Sequence, residues 1–278
     1  MTPSVTQDAV SKRSKSADTE LTLRGVTLNR GDQKVLDALD LSFAAGSCTA
    51  VLGPNGAGKS SLLALLAGDL KPSGGRVRLS GRAPSGMGPM ELAYRRAILV
   101  QRHELTHPFT VDRVIELGNS HASQAQRGMI LAELGIEGLA NRIYTELSGG
   151  EQRLVQCARV LLQCETMVPP GWLLLDEPES NLDLGVVTRV MSAARKRADK
   201  GMGVVAALHD LELASRWADQ VVVLDRGRIG ALGPPADALT SAVISGTWET
   251  PVHVEADVHG GVRIRPLAAT PPRGPVTT

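Results

Sequence analysis

At 278 residues, 42% of them apolar, with a formal net charge of +1, the chain has ample material for one large folded core or two modest ones. So small a charge gives no basis for a nucleic-acid surface, where a basic excess supplies most of the affinity, and no run of roughly 18 apolar residues is present to span a bilayer. Three cysteines, Cys48, Cys157 and Cys164, are an odd number without metal-ligand spacing and read as reduced core thiols.

In chain order, residues 1–19 hold no apolar stretch long enough for a signal peptide and read as a disordered polar tail. From Leu21 to Phe43 apolar and polar residues alternate, which predicts half-buried strands. CTAVLG (Cys48 to Gly53) predicts a buried strand entering a glycine-rich turn, and SLLALLAG after it predicts a helix. RVRLSG (Arg76 to Gly81) and AILVQ (Ala97 to Gln101) are further strand candidates. Between about 102 and 147 the pattern turns helical, as in VDRVIELG and RGMILAELG, and reads as a helical insertion. EQRLVQCARVLLQ then predicts a helix, WLLLD a strand, Leu184 to Ala198 a helix, and VVAAL and VVVLD two more strands. Continuous apolar runs flanked by helices imply parallel strands buried on both faces. VHVEADVHGGVRIR predicts a small hairpin turning at His259-Gly260-Gly261. The expected organisation is a main domain over 20–240, a small extension over 241–266 and an unstructured tail over 267–278.

GPNGAGKS, Gly53-Pro54-Asn55-Gly56-Ala57-Gly58-Lys59-Ser60, matches G-x-x-x-x-G-K-[ST] and lies between the predicted strand and helix, the context a phosphate-binding loop requires. Its glycines let successive backbone N–H groups turn inward around a phosphate, and the helix adds its N-terminal partial charge. Lys59 is placed to reach the β- and γ-phosphates and Ser60 to ligate Mg²⁺. The bland alternative, a flexible turn beside a buried helix, does not explain the lysine and serine at those offsets.

LLLDE (Leu173 to Glu177) puts two acids at the end of a buried strand, where carboxylates are costly unless paired or metal-bound. Asp176 is the candidate Mg²⁺ ligand and Glu177 the group that polarises an attacking water. His209 ends the strand VVAAL and precedes Asp210, a candidate helix N-cap. Ligands of parallel sheets sit at that edge, so His209 reads as a γ-phosphate sensor. Gln101 ends AILVQ, with an amide in reach of metal and water. In LSGGEQR (Leu147 to Arg153) the Ser148-x-x-Glu151 pattern is a capping box. It leaves Ser148, Gly149 and Gly150 as an uncluttered helix start that can accept a phosphate.

GPNGAGKS, Gln101, LSGGEQR, LLLDEP, Ser180-Asn181-Leu182-Asp183 and His209, in that order, resemble the ATP-binding subunits of ABC transporters over roughly 21–239. The resemblance implies an α/β phosphate-loop NTPase fold with a parallel sheet, an antiparallel flank near the N-terminus and a helical subdomain at about 102–147. It implies ATP and Mg²⁺ as ligands, with the cradle extended to Ser61. It also implies a head-to-tail dimer in which Ser148, Gly149 and Gly150 of one copy face ATP held by the other, Asp183 helping to couple the two sites. The implied setting is the cytoplasmic side of the cell membrane, against separate permease subunits and, indirectly, a substrate-binding protein. Two positions depart from the pattern. Arg30 stands where an aromatic residue usually meets the adenine, and its guanidinium can stack on a base; Glu179 stands where a threonine usually follows DEP.

HPFTVDRVIELG (His107 to Gly118), ALHDLELASRWADQVVVLDRGRI and GPPADALT are similar to the ATPases of importers for haem, ferric siderophores and cobalamin, and QCETMVPPGW points towards haem within that group. A non-transport ATPase acting on DNA or ribosomes is the distant alternative. HELTH (His103 to His107) matches H-E-x-x-H and offers a zinc protease as a competing class. Pro108 directly after it disfavours helix at His107, while zinc ligation needs both histidines on one helical face.

Overall fold

The computed structural model describes residues 20–101, 105–258 and 260–267. Residues 1–19 and 268–278 of the two expected tails, His103 and Glu104 of HELTH, and His259 lie outside the described residues. In chain order the first half contains β1 (Glu20–Arg30), β2 (Gln33–Ala44), β3 (Cys48–Leu52), α1 (Lys59–Ala67), β4 (Gly74–Leu79), α2 (Pro89–Ala93), β5 (Arg96–Leu99), α3 (Val111–Glu116) and α4 (Gln124–Leu134). The second half adds α5 (Gly149–Cys164), β6 (Trp172–Asp176), α6 (Leu184–Asp199), β7 (Gly203–Ala207), α7 (Leu211–Trp217), β8 (Gln220–Asp225) and β9 (Arg228–Gly233). It closes with α8 (Pro235–Ala238), α9 (Ser241–Thr247), β10 (Val252–Ala256) and β11 (Val262–Pro266).

CTAVL, WLLLD and GVVAA are short aliphatic runs without alternation, and every residue of the three is buried. They form the middle of a six-stranded sheet in the order β5-β6-β7-β3-β8-β9. Its first five strands are parallel and β9 pairs antiparallel with β8. Because strand side chains alternate in direction, neighbouring residues serve opposite cores. Ala50, Leu52, Leu173, Leu175, Val204 and Ala206 face one core, and Val51, Leu174, Val205 and Ala207 face the other.

The second core lies between this sheet, the wholly apolar face of α1 (Leu62, Leu63, Leu65 and Leu66) and the antiparallel sheet β2-β1-β4. Alternation in β1 points Leu21, Leu23, Val26 and Leu28 inward. The first core is closed by α5 and α6, and the insertion joins it through Val111, Val114, Ile115, Ile130, Leu131 and Leu134. Within the insertion, Thr110 caps α3 and bridges to Ile143, which brings together the two stretches of chain that flank its helices.

Beyond 240, the hairpin β10-β11 docks on α7, and α9 packs on β10, whose Val252 and Val254 N–H groups donate to Ser245 and Ser241 Oγ. Ser215 Oγ accepts the Val262 N–H at 2.9 Å and Glu212 Oε1 accepts that of Ile264 at 3.0 Å. Leu267 still donates its N–H to the Pro251 carbonyl at 2.9 Å. Cys48, Cys157 and Cys164 are buried free thiols, each pushed up to about 12 by burial, which makes them unreactive. No helix among the described residues is long and apolar enough to cross a membrane.

Candidate functional site

The turn after β3 must reverse direction in six residues and enter a helix, and glycine is what lets it. Gly53 has φ +150 and a Cβ there would sit 2.3 Å from the Leu224 carbonyl; Gly58 has φ +104 and a Cβ would meet Leu36 Cδ2 at 2.6 Å. Both positions combine a left-handed backbone with close approach of a neighbour. The loop opens on a cleft of ≈ 420 Å³ lined by Arg30, Gln33, Val35, residues 55–61, Gln101 and Glu177. Lys59 is buried, and its Nζ donates to the carbonyls of Gly53 at 2.7 Å and Pro54 at 3.3 Å. Burial lowers its affinity for the proton, while Glu177, Asp176 and Glu179 act the other way.

The parallel ladder brings the ends of β5, β6 and β7 to the same edge. Ser60 Oγ donates to Asp176 Oδ1 at 3.1 Å. Burial raises the Asp176 carboxyl, the Ser60 hydrogen bond and nearby Arg153 and Lys59 only partly opposing it. The buried Asp176 carboxylate and the Ser60 hydroxyl beside it are hard oxygen donors of the kind Mg²⁺ takes. Glu177 sits at φ +51, a left-handed conformation that costs a non-glycine residue about 1–3 kcal/mol. That turn aims its carboxylate across the cleft. Gln101 Nε2 donates to Glu177 Oε2 at 2.8 Å, His209 Nε2 lies 2.6 Å from Oε1, and Ser180 Oγ reaches Oε2 at 3.3 Å. Burial acts to raise this carboxyl, but the His209, Gln101 and Ser180 contacts outweigh it and hold it below the usual range. Glu177 is therefore ionised at neutral pH.

His209 is held by the helix it precedes. Asp210 caps α7, accepting the Leu213 N–H at 2.8 Å. Glu179 has a partner too, accepting the His209 backbone N–H at 2.7 Å.

Ser148, Gly149 and Gly150 are not among the residues that line the cleft. They begin α5 with a full capping box: Ser148 Oγ accepts the Glu151 N–H, and Glu151 accepts that of Ser148 at 2.8 Å. A Cβ at Gly149 would meet nothing, so that face is open, whereas one at Gly150 would lie 2.7 Å from the Asn181 carbonyl. Asp183 begins α6 without a side-chain capping bond.

Arg153, one turn into α5, is the residue of LSGGEQR to which the sequence attached no role. Its guanidinium donates to the carbonyls of Val100 at 2.6 Å and Glu177 at 2.8 Å, and to that of Asp176. It therefore ties the helix that carries Ser148 to the strand ends that carry Gln101, Asp176 and Glu177. The signal in sequence is only an arginine on the inward side of a predicted helix, and its carbonyl partners are invisible there. Arg153→Met removes this donor from the Val100 and Asp176 carbonyls and leaves the Glu177 carbonyl with the Ser180 N–H alone, and each lost bond to a part-buried carbonyl costs roughly 1–3 kcal/mol. Denaturant unfolding is expected to show a stability loss of about 2–4 kcal/mol. A midpoint equal to that of the parent chain is the result that contradicts this accounting.

A family model described as ABC transporter matches residues 36–180. The hemin import ATP-binding protein HmuV of Rhodopseudomonas palustris (strain HaA2) is 39% identical over 255 residues, covering 89% of this chain and 97% of that one. Its counterpart of the same name from Bradyrhizobium diazoefficiens is 44% identical over 243 residues, with 85% and 89% covered. Among solved structures, a bacterial Atm1-family ABC exporter with ATP bound superposes with a TM-score of 0.71 at 28% identity, covering 79% of this chain and 39% of that one. A putative metal-chelate type ABC transporter in an inward-facing conformation gives 0.72 at 23% identity, covering 91% and 99%, and shows the shared fold.

Proposed function

Because the chain belongs to the ABC transporter family, as one of its ATP-hydrolysing subunits, we propose that it powers import of haem through separate permease subunits, from the cytoplasmic side of the membrane. One arrangement carries the catalytic half of this reading: Lys59, Ser60, Gln101, Asp176, Glu177 and His209 meet at one sheet edge around one cleft. The haem half rests on relatives named hemin import ATP-binding proteins that match at 39–44% identity over most of the chain.

In this reading the backbone N–H groups of 55–61 and the Lys59 ammonium bind the triphosphate, and Arg30 lies where the base enters. Ser60, Asp176 and Gln101 would hold Mg²⁺, which supplies charge neutralisation on the transferred phosphoryl group. Glu177, ionised and oriented by Gln101 and Ser180, accepts a proton from the attacking water. His209 carries the γ-phosphate contact. A second copy contributes Ser148, Gly149, Gly150 and Asp183.

ATP at 100 times its dissociation constant stabilises the fold by about 2.7 kcal/mol, so Mg-ATP should raise the melting temperature by roughly 5–10 °C. No rise with folded protein would count directly against the cleft as the nucleotide site. Cargo is tested by reconstituting the chain with its permease in vesicles and offering haemin, a ferric siderophore and cobalamin. ATP-dependent uptake of haemin over the other two is expected, and preference for either of those overturns the haem assignment.

A further inference from the structure

Resting on the reading of His209 as the γ-phosphate contact, we propose that Glu179 is a positioning residue: its carboxylate oxygen replaces a missing backbone acceptor and holds the His209 main chain in register with Glu177. The hydrogen bonds of β7 run out at its C-terminal end. Asp176 pairs with Ala207 as the last residues of the β6–β7 ladder. The Glu177 N–H then donates to the Ala207 carbonyl at 3.1 Å, and the Leu208 N–H to Val51 on the other side at 3.0 Å. In a parallel ladder the next donor facing β6 is the His209 N–H, and its partner is the Glu177 carbonyl.

That acceptor is not available. Glu177 turns away at φ +51, and its carbonyl is taken by the Ser180 N–H at 3.1 Å and by Arg153 Nη2 at 2.8 Å. Glu179, two residues further along the same turn, places Oε1 2.7 Å from the His209 nitrogen and completes the accounting that a backbone donor demands. Its other oxygen, Oε2, is sealed from solvent without a partner, and burial raises the carboxyl. A group kept at such a desolvation cost is poorly explained by surface solvation. Threonine, the residue the ABC resemblance leads one to expect here, has a side chain two atoms shorter than glutamate to its polar end.

The consequence concerns what happens when the histidine ring is recruited elsewhere. His209 is tied to the β6 turn twice, by its ring to Glu177 at 2.6 Å and by its main chain to Glu179 at 2.7 Å. The ring cannot hold Glu177 and a γ-phosphate with the same nitrogen. The Glu179 bond is independent of the ring and keeps the loop in place through that exchange.

The test compares steady-state ATP hydrolysis by the full chain carrying Glu179→Met, Glu179→Gln, His209→Ala, and Glu179→Met with His209→Ala. Methionine keeps the volume and removes the acceptor; glutamine restores an acceptor oxygen. Glu179→Met should lower kcat about 10- to 100-fold, the range for a misplaced catalytic group, with KM for ATP changed less than about threefold. Glu179→Gln should stay within about twofold of the parent, and adding Glu179→Met to His209→Ala should cost nothing further. Parent-like turnover by Glu179→Met beside an inactive His209→Ala overturns the positioning role and spares the site. A glutamine variant as slow as the methionine one also overturns it. Normal turnover by His209→Ala overturns the reading of the site itself, and with it this proposal.

Discussion

Glu177→Gln should abolish phosphate release while leaving nucleotide binding intact. The substitution is isosteric, so Gln101, Ser180 and His209 keep a partner of the same shape at the same turn. What changes is charge and basicity: the carboxyl, held below its usual range, is ionised and has a carboxylate lone pair to accept a proton, whereas an amide has none of comparable basicity. Loss of a positioned general base costs on the order of 10²–10⁴ in rate. The proposed triphosphate contacts are the backbone of 55–61 and the Lys59 side chain rather than Glu177, although all line one cleft, so the dissociation constant for Mg-ATP should shift by less than about threefold. A colorimetric phosphate-release assay beside equilibrium binding separates the two. If the glutamine variant keeps even a tenth of the parent rate, Glu177 is not the base.

The strands of the central sheet were readable because their signals are local. CTAVL, WLLLD, GVVAA and QVVVLD show unbroken apolar character over the length of a strand, and a doubly covered parallel sheet is what such runs form. Boundaries moved where the local signal is ambiguous: RVRLSG begins at Gly74 and ends at Leu79, and AILVQ ends at Leu99. RIGALG, which forms β9 (Arg228–Gly233), gives no strand signal in the sequence. Its two glycines carry no strand preference, and it is a strand only because β8 offers it an edge to pair with. The short helices at Pro89–Ala93 and Pro235–Ala238 escaped for the complementary reason, being too short to show a period.

The site divides along the same line. Phosphate-loop residues and the DE pair announce themselves by spacing, because the chemistry sits within a single turn of chain. Glu179 and Arg153 do not. Glu179 acts on a backbone 30 residues away and Arg153 on carbonyls 23 to 53 residues away, and neither separation has a sequence period. From sequence Glu179 was only a departure from an expected threonine, without a physical account. The ladder arithmetic at Glu177 and His209 gives it one, which required knowing which carbonyl had been turned out of the sheet.

Two inactive variants, mixed, should make an active enzyme. Lys59→Ala removes the buried ammonium from the phosphate loop, and Ser148→Arg blocks the open start of α5, whose residues do not line the cleft of their own chain. In a head-to-tail pair with twofold symmetry each cleft is completed by the other copy. Either homodimer then has two defective sites. The mixed dimer has one site with both lesions and one with neither, because the Ser148→Arg copy supplies a normal loop and the Lys59→Ala copy a normal helix start. With random exchange half the dimers are mixed and each has one of two sites intact, so about a quarter of parental hydrolysis should return. The background is low, since a trans-supplied group of this kind is worth on the order of 10³–10⁵ in rate. Each variant alone is measured at the same total concentration, and exchange is verified with two affinity tags. Recovery near a quarter requires Ser148 to act across the interface. If Ser148 served its own chain's nucleotide, the mixed dimer would hold one site broken at the loop and one broken at the helix, and no activity would return.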